Sequence, residues 1–371
     1  MEARAAGTTA GTTGIWLLAA ASLLAPADAL AVGTTYPVGN SPTAIDSIDY
    51  GDDGEPDVGV VNEADDTATI LLGGVGISLV PQAPEPVCAG PRAITSANFN
   101  PGEDAFGDFA VACNDGNVRL LASPVTDLAT GRVPGGIAAG DLSGDGIPDL
   151  ALSAVDDRKL LVYRGRGDLS FRDPLVYAVG RKPMGLDIGD LDRDGRPDVA
   201  VANSRDDDIS LLFGKGEGKL GARKDLNAGK KPLDVTIGQF IGKAKHRDLL
   251  TANKSRTPVA QNFQDDTLSL IENRGKRKFK GDVKLRNRAE PVDVATGDVN
   301  NDGIDDPAAA YSASGRIGVF TLGVGTTDYI AGDGPNNVLP LGLVLADLNG
   351  DGRDEIINSD AANAEVNVNS I

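Results

Sequence analysis

The chain has 371 residues, 41% of them hydrophobic, which is enough for a packed core and excludes wholesale disorder. Fifty-four acids against 35 bases give a net charge of −19, a poor match for nucleic acid or an anionic membrane. A single histidine, His246, leaves no multi-histidine metal site and argues against Ser-His-Asp chemistry.

In chain order, Glu2 and Arg4 precede an apolar stretch from Ile15 to Ala25, too short to span a bilayer. Ala27-Asp28-Ala29 then places small residues where a signal peptidase reads. Residues 1–29 are therefore expected to be a secretory signal peptide, cleaved near Ala29 or Ala31, and residues 30–371 a secreted or cell-surface domain. In such an oxidising compartment the only two cysteines, Cys88 and Cys113, are expected to form one disulfide.

The rest of the chain is a repeat. DLSGDGIPD begins at Asp141, DLDRDGRPD at Asp190, DVNNDGIDD at Asp298 and DLNGDGRDE at Asp347. DYGDDGEPD begins at Asp49, and degenerate copies of the same frame begin at Asn98 and Gln239. Four of the six spacings are 49 residues, which marks a repeat architecture. Around each loop an apolar stretch such as GLDIGD leads in, and a β-branched run such as DVAVAN leads out. A polar turn, a second apolar run, a Gly-rich turn and a further extended segment follow. That is four strands per repeat, and seven such units predict an all-β, seven-bladed β-propeller. The last repeat ends after three strands, so Leu30–Gly39 is expected to supply the fourth and close the ring without an open edge.

The acidic loops offer oxygen ligands at positions 1, 3, 5 and 9 with Gly at position 6, a set suited to Ca²⁺, which takes six to eight oxygens. An EF-hand starts similarly, but here the ninth position ends the loop and strands flank it. These motifs, over essentially all of residues 30–371, resemble the FG-GAP/VCBS repeat family, the calcium-loop propellers typified by the integrin α-subunit head. The resemblance implies Ca²⁺ at three complete sites: Asp190, Asp192, Asp194 and Asp198; Asp298, Asn300, Asp302 and Asp306; Asp347, Asn349, Asp351 and Glu355. Asp141, Ser143, Asp145 and Asp149 form a fourth with a weaker hydroxyl ligand, and Asp49, Asp53 and Asp57 keep the frame while Gly51 removes the third ligand. The Asn98 loop, with Asn100, Asp104 and Asp108 after an insertion, and the Gln239 loop, with Lys243 and Lys245, are expected to hold no calcium.

Charge is uneven. Residues 213–288 carry 19 Lys and Arg against 8 Asp and Glu, a basic sector on an acidic disc. Arg181, Lys182, Lys230, Lys231, Lys254 and Arg256 are expected near one rim of the face opposite the acidic loops, beside a longer turn at 257–264. They point to an extracellular protein or glycan partner, anionic in character, and the leading expectation is a monomeric, non-catalytic binding or adhesion module. A lectin is the alternative, although a mature chain without Trp offers few stacking platforms. A polysaccharide-acting enzyme and a purely structural surface protein are the remaining readings. His246, between Lys245 and Arg247, is expected to be exposed, and Arg166-Gly167-Asp168 is explained by the Gly-rich turn frame rather than by adhesion.

Overall fold

The computed structural model describes residues 33–370 except 52, 104, 123, 241–245, 255–266, 286–289, 322–324 and 331–338. The expected signal peptide, Asp104, Lys243, Lys245, Arg256 and the 257–264 insert therefore lie outside the described residues. The described chain folds into seven antiparallel sheets, each a blade; in all but the last the strands pair in sequence order. Blade 4 is representative: Pro183–Gly189, Asp198–Asn203, Asp208–Leu212 and Lys224–Asn227, from inner to outer. No helix among the described residues is long and apolar enough to cross a membrane.

Closure follows the expected route. Blade 7 consists of Pro340–Ala346, Glu355–Asp360 and Glu365–Asn369, and the N-terminal strand Thr34–Pro37 pairs antiparallel with the last of these, Thr34 opposite Val368 and Pro37 opposite Glu365. The inner strands neighbour one another in a closed circuit, with Pro42–Ile48 of blade 1 lying between those of blades 2 and 7. They surround an axial cavity of about 630 Å³.

The core is divided in a way that explains the near-continuous apolar runs. Seven clusters of buried side chains each join two adjacent blades, so every sheet is covered on both faces. The cluster of Ile45, Val58, Val60 and Leu71 with Leu348, Ile357, Val366 and Val368 fastens blade 1 to blade 7. Each such aliphatic side chain contributes roughly 1.5–3 kcal/mol on burial. The second strand of every blade is buried at all six positions.

Two regularities hold in every blade. Each inner strand begins with proline: Pro42, Pro91, Pro134, Pro183, Pro232, Pro291 and Pro340. A strand's first position tolerates the missing N–H, and the fixed φ directs the chain into the ring. At the same end, the residue before the proline accepts a backbone bond from the turn after the second strand of its own blade, as in Ser204 N–H to Lys182 O and Lys254 N–H to Lys231 O.

Cys88 and Cys113 form a disulfide with a Cα–Cα distance of 5.7 Å, a normal span for such a bridge. It links blade 1 to the end of the second strand of blade 2, Asp108–Cys113. The outer strand of blade 1 is not the single continuous element the repeat predicts. Ser78–Pro81 and Glu85–Pro86 pair separately with Thr67–Gly74, and Cys88 follows the second piece. Pro81, Pro84 and Pro86 explain the break, because none can donate to the ladder.

Candidate metal loops and a basic rim

The acidic loops connect inner to second strands, so all open on one end of the ring. In blade 4, Asp190 organises the turn: Oδ1 accepts the N–H of Arg193 (2.6 Å) and Asp194 (3.2 Å), and Oδ2 accepts that of Gly195 (2.9 Å). The carboxylates of Asp190, Asp192 and Asp194 come within 4.8 Å of one another. Asp141, Asp298 and Asp347 take the same bond from the sixth-position glycine, and Asp49 does so at 3.2 Å. Those glycines, Gly54, Gly146, Gly195, Gly303 and Gly352, have φ between +79° and +85°, which a side chain would strain. Asp53, Asp145, Asp302 and Asp351 occupy the fifth position, each accepting a backbone N–H from two residues on. At the third position, Asn300 and Asn349 donate through Nδ2 to Asp306 and Glu355, while the Ser143 hydroxyl donates to Asp141 (3.3 Å).

The ninth-position acid behaves differently from the other three. Asp198 is fully buried; Oδ2 accepts the N–H of Leu191 (2.9 Å) and Oδ1 that of Gly214, just beyond the third strand (2.7 Å). Asp149 and Asp57 bridge the loop to Gly165 and Gly73 in the same way. Asp108 and Asp248 persist, buried, in the two degenerate blades, where Asp108 accepts from Phe99 and Asp248 from Asn273. A buried acid thus heads the second strand of all seven blades, and in blades 1, 3 and 4 it clamps the loop to the end of the third strand. In no described loop does it join a group of three carboxylates within 4.8 Å. The sequence placed Asp108 after an insertion but gave no sign of its buried role, and Asp248 was missed because it is displaced from the nine-residue frame; its place before an aliphatic run is the signal that finds it.

Burial raises these clamps above the ordinary carboxylate range: Asp149 and Asp198 to about 6 and Asp306 to about 7, with the neighbouring loop carboxylates adding to the rise. The donor set is hard oxygen, gathered around a glycine turn, with a buried acid behind it. It fits a divalent cation.

A second set of acids lines the axial cavity. Asp187 Oδ2 accepts the N–H of Ile237, and Asp293 Oδ2 that of Leu343, each in the next blade's inner strand (both 2.7 Å). Asp234 similarly reaches Val294 (3.3 Å) and shares a hydrogen bond with the Asp293 carboxyl. Burial pushes Asp46 and Asp187 up to about 6 and Asp234 well above the usual range.

On the proline end of the ring, Lys182 and Lys231 come together with Arg205 and Ser204 around a pocket of about 330 Å³. Arg205 was not singled out by sequence; it lies in the turn after the second strand, next to Ser204, and only the fold brings it to Lys182. The other expected rim residues are partly committed. Arg181 pairs with Asp206, and Lys254 with Glu290 at 2.8 Å, while Lys230 is exposed. His246 is half-buried rather than exposed, packed so that a β-carbon on Gly275 would fall 2.6 Å from its Nε2. Arg166 and Asp168 are tied into their own turn through Phe171 and Ser170, in keeping with a structural origin for that tripeptide.

Residues 141–201 match the family described as the FG-GAP-like repeat. No curated protein matches the chain. Among solved structures, BBS1N in complex with ARL6DN superposes with a TM-score of 0.66 at 13% identity, covering 91% of this chain and 96% of that one. Virginiamycin B lyase from Staphylococcus aureus gives 0.63 at 13% identity, covering 91% and 99%. A functionally unknown protein from Desulfotomaculum acetoxidans gives 0.59 at 12% identity, covering 81% and 88%. At these identities the likeness establishes the fold alone. The repeat match and the seven four-stranded blades together fit an FG-GAP-like propeller.

Proposed function

We propose that this FG-GAP-like propeller is a secreted, calcium-rigidified, non-catalytic binding module that takes an anionic extracellular ligand at its basic rim. The observation that carries the reading is the pocket of Lys182, Ser204, Arg205 and Lys231, a cationic concavity on a chain whose net charge is −19. The equivalent rim positions of the other blades are Ser41 and Glu63, Gly90 and Asn114, Val133 and Val155, Glu290 and Ser312, Leu339 and Ala361. Only blades 4 and 5 place Lys immediately before the inner-strand proline. Calcium at the Asp141, Asp190, Asp298 and Asp347 loops, and more weakly at Asp49, neutralises the opposite end and fixes the blades. The leader expected at residues 1–29 and the Cys88–Cys113 bridge support an oxidising, extracellular setting.

A neighbouring fold in complex with a protein partner is consistent with a binding role, whereas the lyase keeps catalysis as the rival. The single histidine, packed against Gly275, favours binding.

The test is binding of the calcium-loaded protein to a panel of sulfated, carboxylated and neutral glycans and acidic peptides. Binding to anionic members should fall by on the order of tenfold, about 1.4 kcal/mol, in Lys182→Ala/Lys231→Ala. It should also weaken with salt. Salt-insensitive binding to neutral sugars that survives the double substitution would replace this reading with a lectin.

A further inference from the structure

We propose that Arg277 is an internal counter-cation for the Asp190 loop, competing with the divalent ion there. It makes this site the weakest of the three complete loops despite its having the most carboxylates. The inference rests on the metal reading of the loops given above.

Arg277 belongs to blade 5, in the turn between Thr267–Asn273 and Phe279–Leu285. It reaches back to blade 4. Nε donates to Asp192 Oδ2 at 2.5 Å, and a terminal nitrogen lies 3.8 Å from Asp194 Oδ2. The guanidinium sits over the ring of Phe213, 4.3 Å from its centroid, a cation–π contact that holds it against blade 4. Asp192, beneath it, keeps only 7% of its side chain exposed. The base of the turn is anchored to the same loop, because Asn273 Nδ2 donates to Leu191 O at 2.6 Å. Lys276 and Arg277 both have positive φ, +53° and +60°, so the turn is held in a conformation that non-glycine residues enter at a cost.

The repeat supplies an internal comparison. The turn is closed by pairs six residues apart in three consecutive blades: Gly165 with Phe171, Gly214 with Leu220, Asn273 with Phe279. Arg277 therefore corresponds to Gly218 in blade 4 and Leu169 in blade 3, all at positive φ. Leu169 packs with Phe99 of the degenerate Asn98 loop, an apolar plug where no metal is expected. Gly218 itself presents no side chain to the Asp141 loop; it donates its N–H to Leu142 O, and the Arg164 side chain packs against it, so that a β-carbon there would fall 2.7 Å from Arg164 Cδ. Over the Asp190 loop the same position carries a guanidinium. One position thus differs in what it offers each preceding loop: an apolar side chain, bare backbone or a guanidinium.

Three carboxylates within 4.8 Å repel one another without a cation. Arg277, with Arg196 on Asp194, supplies positive charge when no ion is bound. A divalent ion entering the loop meets that charge and competes for the Asp192 carboxylate.

The experiment is calcium titration calorimetry on the full mature chain, with thermal midpoints in EDTA and in saturating calcium. Arg277→Gly, which places the blade 4 residue at this position, should bind one calcium about tenfold more tightly, leave the other sites unchanged and melt lower in EDTA. Arg277→Lys, a point charge without the fork, should fall between it and the parent. An Arg277→Gly protein whose calcium isotherm is unchanged, or whose blade 4 site weakens, would overturn the proposal; weakening would mean that Arg277 positions Asp192 for the ion. Asp190→Asn/Asp194→Asn in the parent background reports separately on the underlying reading. If it leaves the number of bound calcium ions unaltered, the loop is not a metal site.

Discussion

The Tyr36 hydroxyl donates to Ile77 O at 3.1 Å and accepts the Leu79 N–H at 3.2 Å, stitching the N-terminal strand of blade 7 to the outer hairpin of blade 1. Tyr177 does the same for blades 3 and 4, accepting the Leu220 N–H at 3.0 Å. The joint that closes the ring is therefore built like a joint inside it. Tyr36→Phe should cost about 0.5–1.5 kcal/mol in denaturant unfolding, the usual net worth of one hydrogen bond. Removing residues 33–39 should do far more, since it uncovers the Glu365–Asn369 edge, and should appear as aggregation in light scattering.

The clamp acids separate structure from metal. Asp248→Ala in blade 5, where no calcium is expected, leaves the Asn273 N–H without its acceptor and should destabilise the fold by about 1–3 kcal/mol. That loss should be equal in calcium and in EDTA. Asp302→Asn, by contrast, should lower the thermal midpoint only in calcium. A calcium-dependent loss at Asp248 would mean that the clamp and ligand roles are not separate.

The disulfide closes a 25-residue separation. Cys88→Ser/Cys113→Ser should cost about 3 kcal/mol if loop-closure entropy dominates. The parent protein in reductant should lose a similar amount, measured by guanidinium unfolding.

The axial acids set a pH dependence. Asp46 and Asp187 are raised to about 6, so the folded state binds protons that the unfolded state releases near the ordinary carboxylate value of 3.8. Their stabilising contribution is complete below about pH 3.8 and is lost as pH rises through about 6. The cavity also holds Asp234, Asp293, Glu63 and Arg92, and the shared proton of the Asp234–Asp293 pair acts in the same direction. Asp187→Asn keeps an acceptor for Ile237 and should melt higher than the parent at pH 7 and equally at pH 4. An identical pH profile for the two proteins would contradict the assignment.

Much of this was legible in the sequence because the repeat period and the loop frame are local properties. The 49-residue spacing located the blades, and the last repeat's three strands called for a fourth within Leu30–Gly39, which forms at Thr34–Pro37. Insertions hid what depends on frame: Asp248 slipped out of the ninth position, and the buried role that it shares with Asp108 went unread. Prolines hid the split outer strand of blade 1. Juxtaposition between repeats hid the rest. Arg205 meets Lys231, and Arg277 meets Asp192, only when blades 4 and 5 pack together, 26 and 85 residues apart in sequence.

The central claim is that the acidic loops bind calcium and that the ion holds the blades. The most direct measurement is the thermal midpoint of the mature protein, stripped with excess EDTA and then reloaded with calcium. A midpoint that falls on stripping, returns with calcium and is insensitive to monovalent salt at equal ionic strength is the predicted result. A midpoint unchanged by either step would contradict the account and leave the five loops as solvated turns.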